Sequence, residues 1–101
     1  MRRGTAIVKH PTEDRHHTVE VVHIETPQDL ADLAADADWH GGKMSVLRIK
    51  GVPTQGCIAP KPPRGAGGIR FMPGAYITKD EEGRFSFLRN EAAFVPQEET
   101  A

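Results

Sequence analysis

The chain reads as an α+β domain: one amphipathic helix packed on a bent antiparallel sheet of five or six short strands. Three observations predict it. One stretch, from Pro27 to His40, places apolar residues at helical spacing. Several short runs on either side of it alternate at a period of two, and Gly- and Pro-rich turns separate those runs at short intervals.

Taken in order, Thr18 to Ile24 alternates Val19, Val21 and His23 with Glu20, Val22 and Ile24, which suits a strand. Helix signals follow at once. Thr26 caps, Pro27 fits the first helical position, and Asp29 returns the capping bond while favouring the positive helix end. Leu30, Leu33, Ala34 and Ala37 then fall on one stripe, with Gln28, Asp32 and Asp36 on the solvent side, and Gly41-Gly42 stops the helix. Met44 to Lys50 is a second strand, and Gly51-Val52-Pro53-Thr54 turns into a short third at Gly56 to Ala59. The prolines and glycines of 60–68 make a loop that is unable to supply ladder donors regularly. Ile69 to Met72 and Ala75 to Lys79 are strands joined at Pro73-Gly74. Asp80 to Gly83 then turns the chain into Arg84 to Leu88, and Asn90 caps a short helical turn ending near Phe94. Val19, Val21, Leu30, Leu33, Val46, Ile58, Ile77, Phe85 and Phe87 are the expected core.

Residues 1–17 mix Arg, His, Pro and acids without apolar periodicity, so they are expected as a flexible N-terminal arm, with 18–95 the single domain and 96–101 a flexible tail. Within that arm Ala6-Ile7-Val8 could still add a strand at an edge. The core is small, and no disulfide is available, because Cys57 is the only cysteine. Val22 and Ile24 beside Val19 and Val21 put apolar groups on both faces of one strand. Together these features point to a homo-oligomer. No apolar run approaches the roughly 18 residues of a membrane span, and Met1 to Thr12 lacks a signal-peptide core. A soluble intracellular protein is therefore expected, and a multi-domain enzyme, a secreted disulfide scaffold and a membrane protein are excluded.

The 13 Lys and Arg nearly balance 14 Asp and Glu, for a net charge of −1, yet the charges are segregated. Residues 43–89 carry +6, residues 1–42 carry −4 and residues 90–101 carry −3. A half this basic makes a reasonable anion-binding surface, although cations spread over solvated strand faces give the same count. Within it, the loop Lys61-Pro-Pro-Arg64-Gly-Ala-Gly-Gly68 permits close backbone approach to a phosphate. Lys61, Arg64, Arg70 and Arg48 supply charge. It is no Walker loop, because the Gly-Lys-Ser/Thr is absent and a strand follows. Trp39 and Tyr76 are the aromatic residues available to stack on a base, or else to pack in the core. Five histidines (His10, His16, His17, His23 and His40) lack recognised metal-ligand spacing. Cys57 between Gly56 and Ile58 reads as a buried structural thiol, and Asp29, Asp32 and Asp36 read as a solvated helix face. No metal, no cofactor and no catalytic constellation is expected.

The stretch Pro73-Gly74-Ala75-Tyr76-Ile77, followed by Gly83-Arg84-Phe85 and Phe94, resembles short phage proteins marked by Pro-Gly-Asp-Trp/Tyr-Ile, Gly-Glu-Phe/Tyr and a closing Phe. The Val19 to Ile24 strand, the helix after it and the Trp39-His40-Gly41-Gly42 break are similar to that group's front half, so the resemblance spans about residues 18–95. The chain departs from the group at Ala75, where the motif has Asp, in its enlarged loop at Lys61 to Gly68, and in its N-terminal arm. The group overlaps small phage proteins that oligomerise and sequester the cyclic nucleotides of bacterial antiphage signalling. The resemblance thus implies a non-enzymatic anti-defence sponge for a nucleotide second messenger, in the cytoplasm of the infected host. Two other classes remain open on the residues alone: a small interaction module that inhibits a host protein, and an accessory protein that binds DNA or RNA.

Overall fold

The computed structural model describes residues 1–59 and 68–97. The capping signals at Thr26 act as expected. The Thr26 side chain accepts from Asp29 N while the Asp29 carboxylate accepts from Thr26 N, and Pro27 opens helix α1 (Pro27–Ala35). Asp36 breaks the helix, α2 (Ala37–His40) adds one turn, and Gly41 in the left-handed region ends it.

Among the described residues eight strands form two antiparallel sheets, one of five strands and one of three, and the main helix packs on them. The strands are β1 (Arg2–Lys9), β2 (His16–His23), β3 (Met44–Ile49), β4 (Val52–Ile58), β5 (Ile69–Phe71), β6 (Tyr76–Lys79), β7 (Phe85–Phe87) and β8 (Val95–Pro96). One sheet has the order β7-β6-β2-β1-β8 and the other β3-β4-β5. The fold class is α+β, with α1 packed against β3 and β4. Asn90 caps a 3-10 turn at Glu91–Ala93, which leads into β8.

Residues 2–9 correct the expectation of a free arm. They form β1, paired with β2 along its whole length from Arg2–His23 to Lys9–His16, with Ala6 buried opposite Val19. The missing apolar periodicity has a simple cause: only Ala6 and, in part, Val8 face the core, and Gly4 stands where a larger side chain would not fit. Arg3 adds a 2.6 Å ion pair to Asp36 at the helix break, and the Met1 ammonium lies 2.9 Å from Asp29 Oδ1.

The β3–β4 hairpin turns earlier than its composition implies. Lys50 and Gly51 both take positive φ, closing a two-residue loop between Ile49 and Val52. Pro53 is then accommodated inside β4 at a register shift opposite Leu47 and Arg48, beyond the residues that pair with β5.

Two apolar cores flank the five-stranded sheet. Val22, Ile24 and Ile77 on one face meet Leu30, Leu33, Trp39, Ile58 and Phe71 from the helices and the second sheet. Ala6, Val19, Val21 and Leu88 form the other core, closed by Tyr76, Ala93 and Phe94. Both faces of β2 are therefore covered within one chain. Of the expected core, Val46 and Phe85 are partly buried and Phe87 is 44% exposed. Phe87 stands on β7, an edge strand with no neighbour beyond it among the described residues. Among the described residues no helix is long and apolar enough to cross a membrane.

Candidate functional site

After β7 the chain crosses the Tyr76 face of the five-stranded sheet to reach β8 on the far side, covering only one end of that face. The other end is a cleft of about 880 Å³. Cross-strand register puts Val8, His17, Val19, Thr78 and Ser86 on its floor. His10 and Pro11 from the β1–β2 hairpin, Asp80 and Arg84 from the β6–β7 turn, and Leu88 to Asn90 complete the lining.

Cations and imidazoles dominate its polar groups: Lys9, Arg84 and Arg89, with His10, His16 and His17. Among the described residues the one lining carboxylate is Asp80, and it is already engaged. Its Oδ1 accepts the backbone N–H groups of Glu82 and Arg84 at 2.9 and 2.8 Å, and its Oδ2 takes Arg84 Nε at 3.1 Å. Such a site favours an anion.

Folding of the β1–β2 hairpin brings His10 and His17 together at one end of the cleft, ring centroids 4.8 Å apart, beside Glu81. Their ligand atoms and a Glu81 oxygen lie within 4.8 Å of one another, so the trio has the outline of a metal site. The hydrogen bonds argue otherwise. His10 Nδ1 accepts the backbone N–H groups of Glu13 and Thr12 at 3.0 and 3.2 Å, so the ring proton resides on Nε2 and no lone pair is left for a metal. Glu81 Oε1 is held at 2.7 Å by Arg15, whose other nitrogen holds Glu13 at the same distance. That Arg15 bond, with smaller help from His17, keeps the Glu81 carboxyl below its usual range. His17 Nδ1 is buried without a hydrogen-bond partner, 3.5 Å from Glu81 Oε1. The cluster is an ion-paired buttress for the cleft.

Of the site residues expected from sequence, Trp39, Arg48, Arg70 and Tyr76 do not line this cleft. Trp39 is buried, 5.2 Å from the Phe85 ring with Lys79 Nζ over its face at 5.7 Å. Tyr76 belongs to the opposite core, with His23 stacked on it at 3.9 Å and Phe94 edge-on at 5.4 Å. Both rings are already packed against aromatic neighbours, and the sheet separates them. Arg48 and Arg70 are exposed on β3 and β5. Lys61 and Arg64 lie outside the described residues. Cys57 is half-buried, paired with Ser45 and Arg70 across its sheet. The three helical carboxylates are each occupied: Asp29 in the cap, Asp32 with Gln28, Asp36 with Arg3. His40 is structural, its Nδ1 accepting from Lys43 N and its Nε2 bonding Ala34 O.

Sequence reasoning missed Lys9, His10, His17, Arg84 and Arg89 as one group. The available signal was the His10 to His17 spacing: a hairpin around a six-residue connection places both at its end. A second signal is that residues 43–79 contain no Asp or Glu. Comparison with family models, curated proteins and solved structures finds no match for this chain.

Proposed function

We propose that the chain binds a small phosphodiester ligand of the cyclic-oligonucleotide class in this cleft and holds it without turning it over, as an anti-defence sponge does. The observation that carries the reading is the pair of cations Lys9 and Arg89 lining the cleft, which have no carboxylate partner among the described residues, while the lining carboxylate of Asp80 is taken up by Arg84 and its own turn. Its volume of about 880 Å³ falls in the range of small-ligand sites. Lys9 and Arg89 would neutralise phosphates, with Arg89 able to hold one in a fork, while Val8, Val19 and Leu88 pack against the sugar or base. The resemblance to short phage proteins supplies the ligand class, and sequestration asks for tight binding and slow release only.

Calorimetry against cyclic di- and trinucleotides, linear nucleotides and random single-stranded DNA tests this. A cyclic oligonucleotide should bind one per cleft and come back intact from heat-denatured complex. Lys9→Ala and Arg89→Ala should each weaken it by roughly tenfold or more, the scale of one charge-assisted hydrogen bond. Absence of any nucleotide binding at a hundredfold excess, or recovery of cleaved ligand, defeats the reading.

A further inference from the structure

The second sheet carries a different surface. β3 is its edge strand, with β4 on one side and no strand on the other among the described residues. Ser45, Leu47, Arg48 and Ile49 are exposed along it. Leu47 and Ile49 are each 55% exposed, and Val52, the register partner of Ile49, is 53% exposed. Such an edge is a template for pairing unless something covers it.

Charge identifies what covers it. Four of the seven cations on the five-stranded side, Arg3, Arg15, Lys79 and Arg84, have carboxylate partners. Lys43, Arg48, Lys50 and Arg70 have none among the described residues, because the segment that builds the second sheet contains no acid. A second copy is a poor occupant. It would bring the same acid-free edge, Arg48 with its flanking Lys43 and Lys50, against this one, and two surfaces of like charge repel. A nucleic acid would use the cations but gives no role to Leu47, Ile49 and Val52.

We infer that β3 docks an extended acidic segment of a partner protein by strand addition. Directly opposed residues share a face. The partner strand therefore sets apolar side chains against Leu47 and Ile49 and a carboxylate against Arg48, with a further acid near Lys50 in the adjoining turn, an acid–apolar alternation of period two. Backbone hydrogen bonds provide the affinity and the alternating pockets the selectivity. This surface is independent of the cleft.

Fluorescence anisotropy with a labelled acetyl-(Glu-Val)5 peptide tests the inference, with acetyl-(Lys-Val)5 and a Glu-Val peptide interrupted by two prolines as comparisons. The acidic peptide should bind saturably and slow hydrogen exchange at the β3 amides that β4 leaves unpaired. Binding should fall tenfold or more in Arg48→Glu and, separately, in Leu47→Ser, with both variants retaining the parent's thermal midpoint within a few degrees. Equal binding of the proline-interrupted peptide, or full binding to Leu47→Ser, reduces the contact to plain charge attraction and overturns the proposal. Random single-stranded DNA binding where the peptide does not, or protection of β3 by raised protein concentration alone, also overturns it, in favour of nucleic acid or a second copy.

Discussion

Gly4 and Phe94 pack so closely that a Cβ on Gly4 would lie 2.8 Å from Phe94 Cε2 and overlap the carbonyl oxygen of Val95. Backbone, not a flexible side-chain end, stands in the way. Gly4→Ala should therefore destabilise the fold by about 1–3 kcal/mol, the cost of overpacking. It should also speed hydrogen exchange at Gln97 N, which bonds Arg3 O at 2.8 Å. An unchanged melting temperature would mean that β8 does not close on β1.

Leu33 and Ile7 make a matched contrast, since Leu33 is fully buried under the helix and Ile7 is 68% exposed. Leu33→Ala should cost about 2–5 kcal/mol in denaturant unfolding, a large share of a small domain's stability. Ile7→Ala should stay within roughly 0.5 kcal/mol. Similar losses at both sites would contradict the packing of α1.

Thr26 Oγ1 accepts from Asp29 N at 3.4 Å, a long cap bond, while Asp29 Oδ2 accepts Thr26 N at 3.0 Å. Thr26→Ala should thus cost toward the lower end of roughly 0.5–2 kcal/mol. Asp29 also bonds Glu25 N and the Met1 ammonium, so Asp29→Ala should cost more than Thr26→Ala in the same measurement.

Acid should unfold the protein through three carboxyls. Arg3 lowers Asp36 and Arg15 lowers Glu81; at Asp29 burial pushes upward, but the bonds from Met1, Glu25 and Thr26 together outweigh it. With folded values below unfolded ones, the stability these groups contribute is complete above roughly pH 4–5 and is lost as pH falls through the folded values. The denaturant midpoint should drop across that window, and Glu81→Gln should flatten part of the drop. A midpoint that rises on acidification would reverse the assignment.

Much of the fold was legible because its signals are local. The α1 cap, the Gly41 stop, the Asn90 turn and most strand positions depend on neighbours within four residues. What escaped was set by distant partners. β1 has weak apolar periodicity because its worth lies in pairing with β2 and in the Arg3–Asp36 contact. The split into two sheets depends on how the helices wedge between them. The cleft was invisible for a related reason: Lys9, His17, Arg84 and Arg89 lie on three separate stretches of chain and meet only after β1, β2, β6 and β7 have paired. Trp39 and Tyr76 looked available because composition does not say which rings already have aromatic neighbours.

Val21 and Val22 are adjacent in β2, yet one belongs to each core. Opening either core exposes a strand that the other still needs, so neither half has an independent melting step, and the slowest-exchanging amides should cluster in β2 and report global unfolding. The molecule should behave as one thermodynamic unit despite having two sheets, and heat or denaturant should dissolve both together in a single cooperative transition.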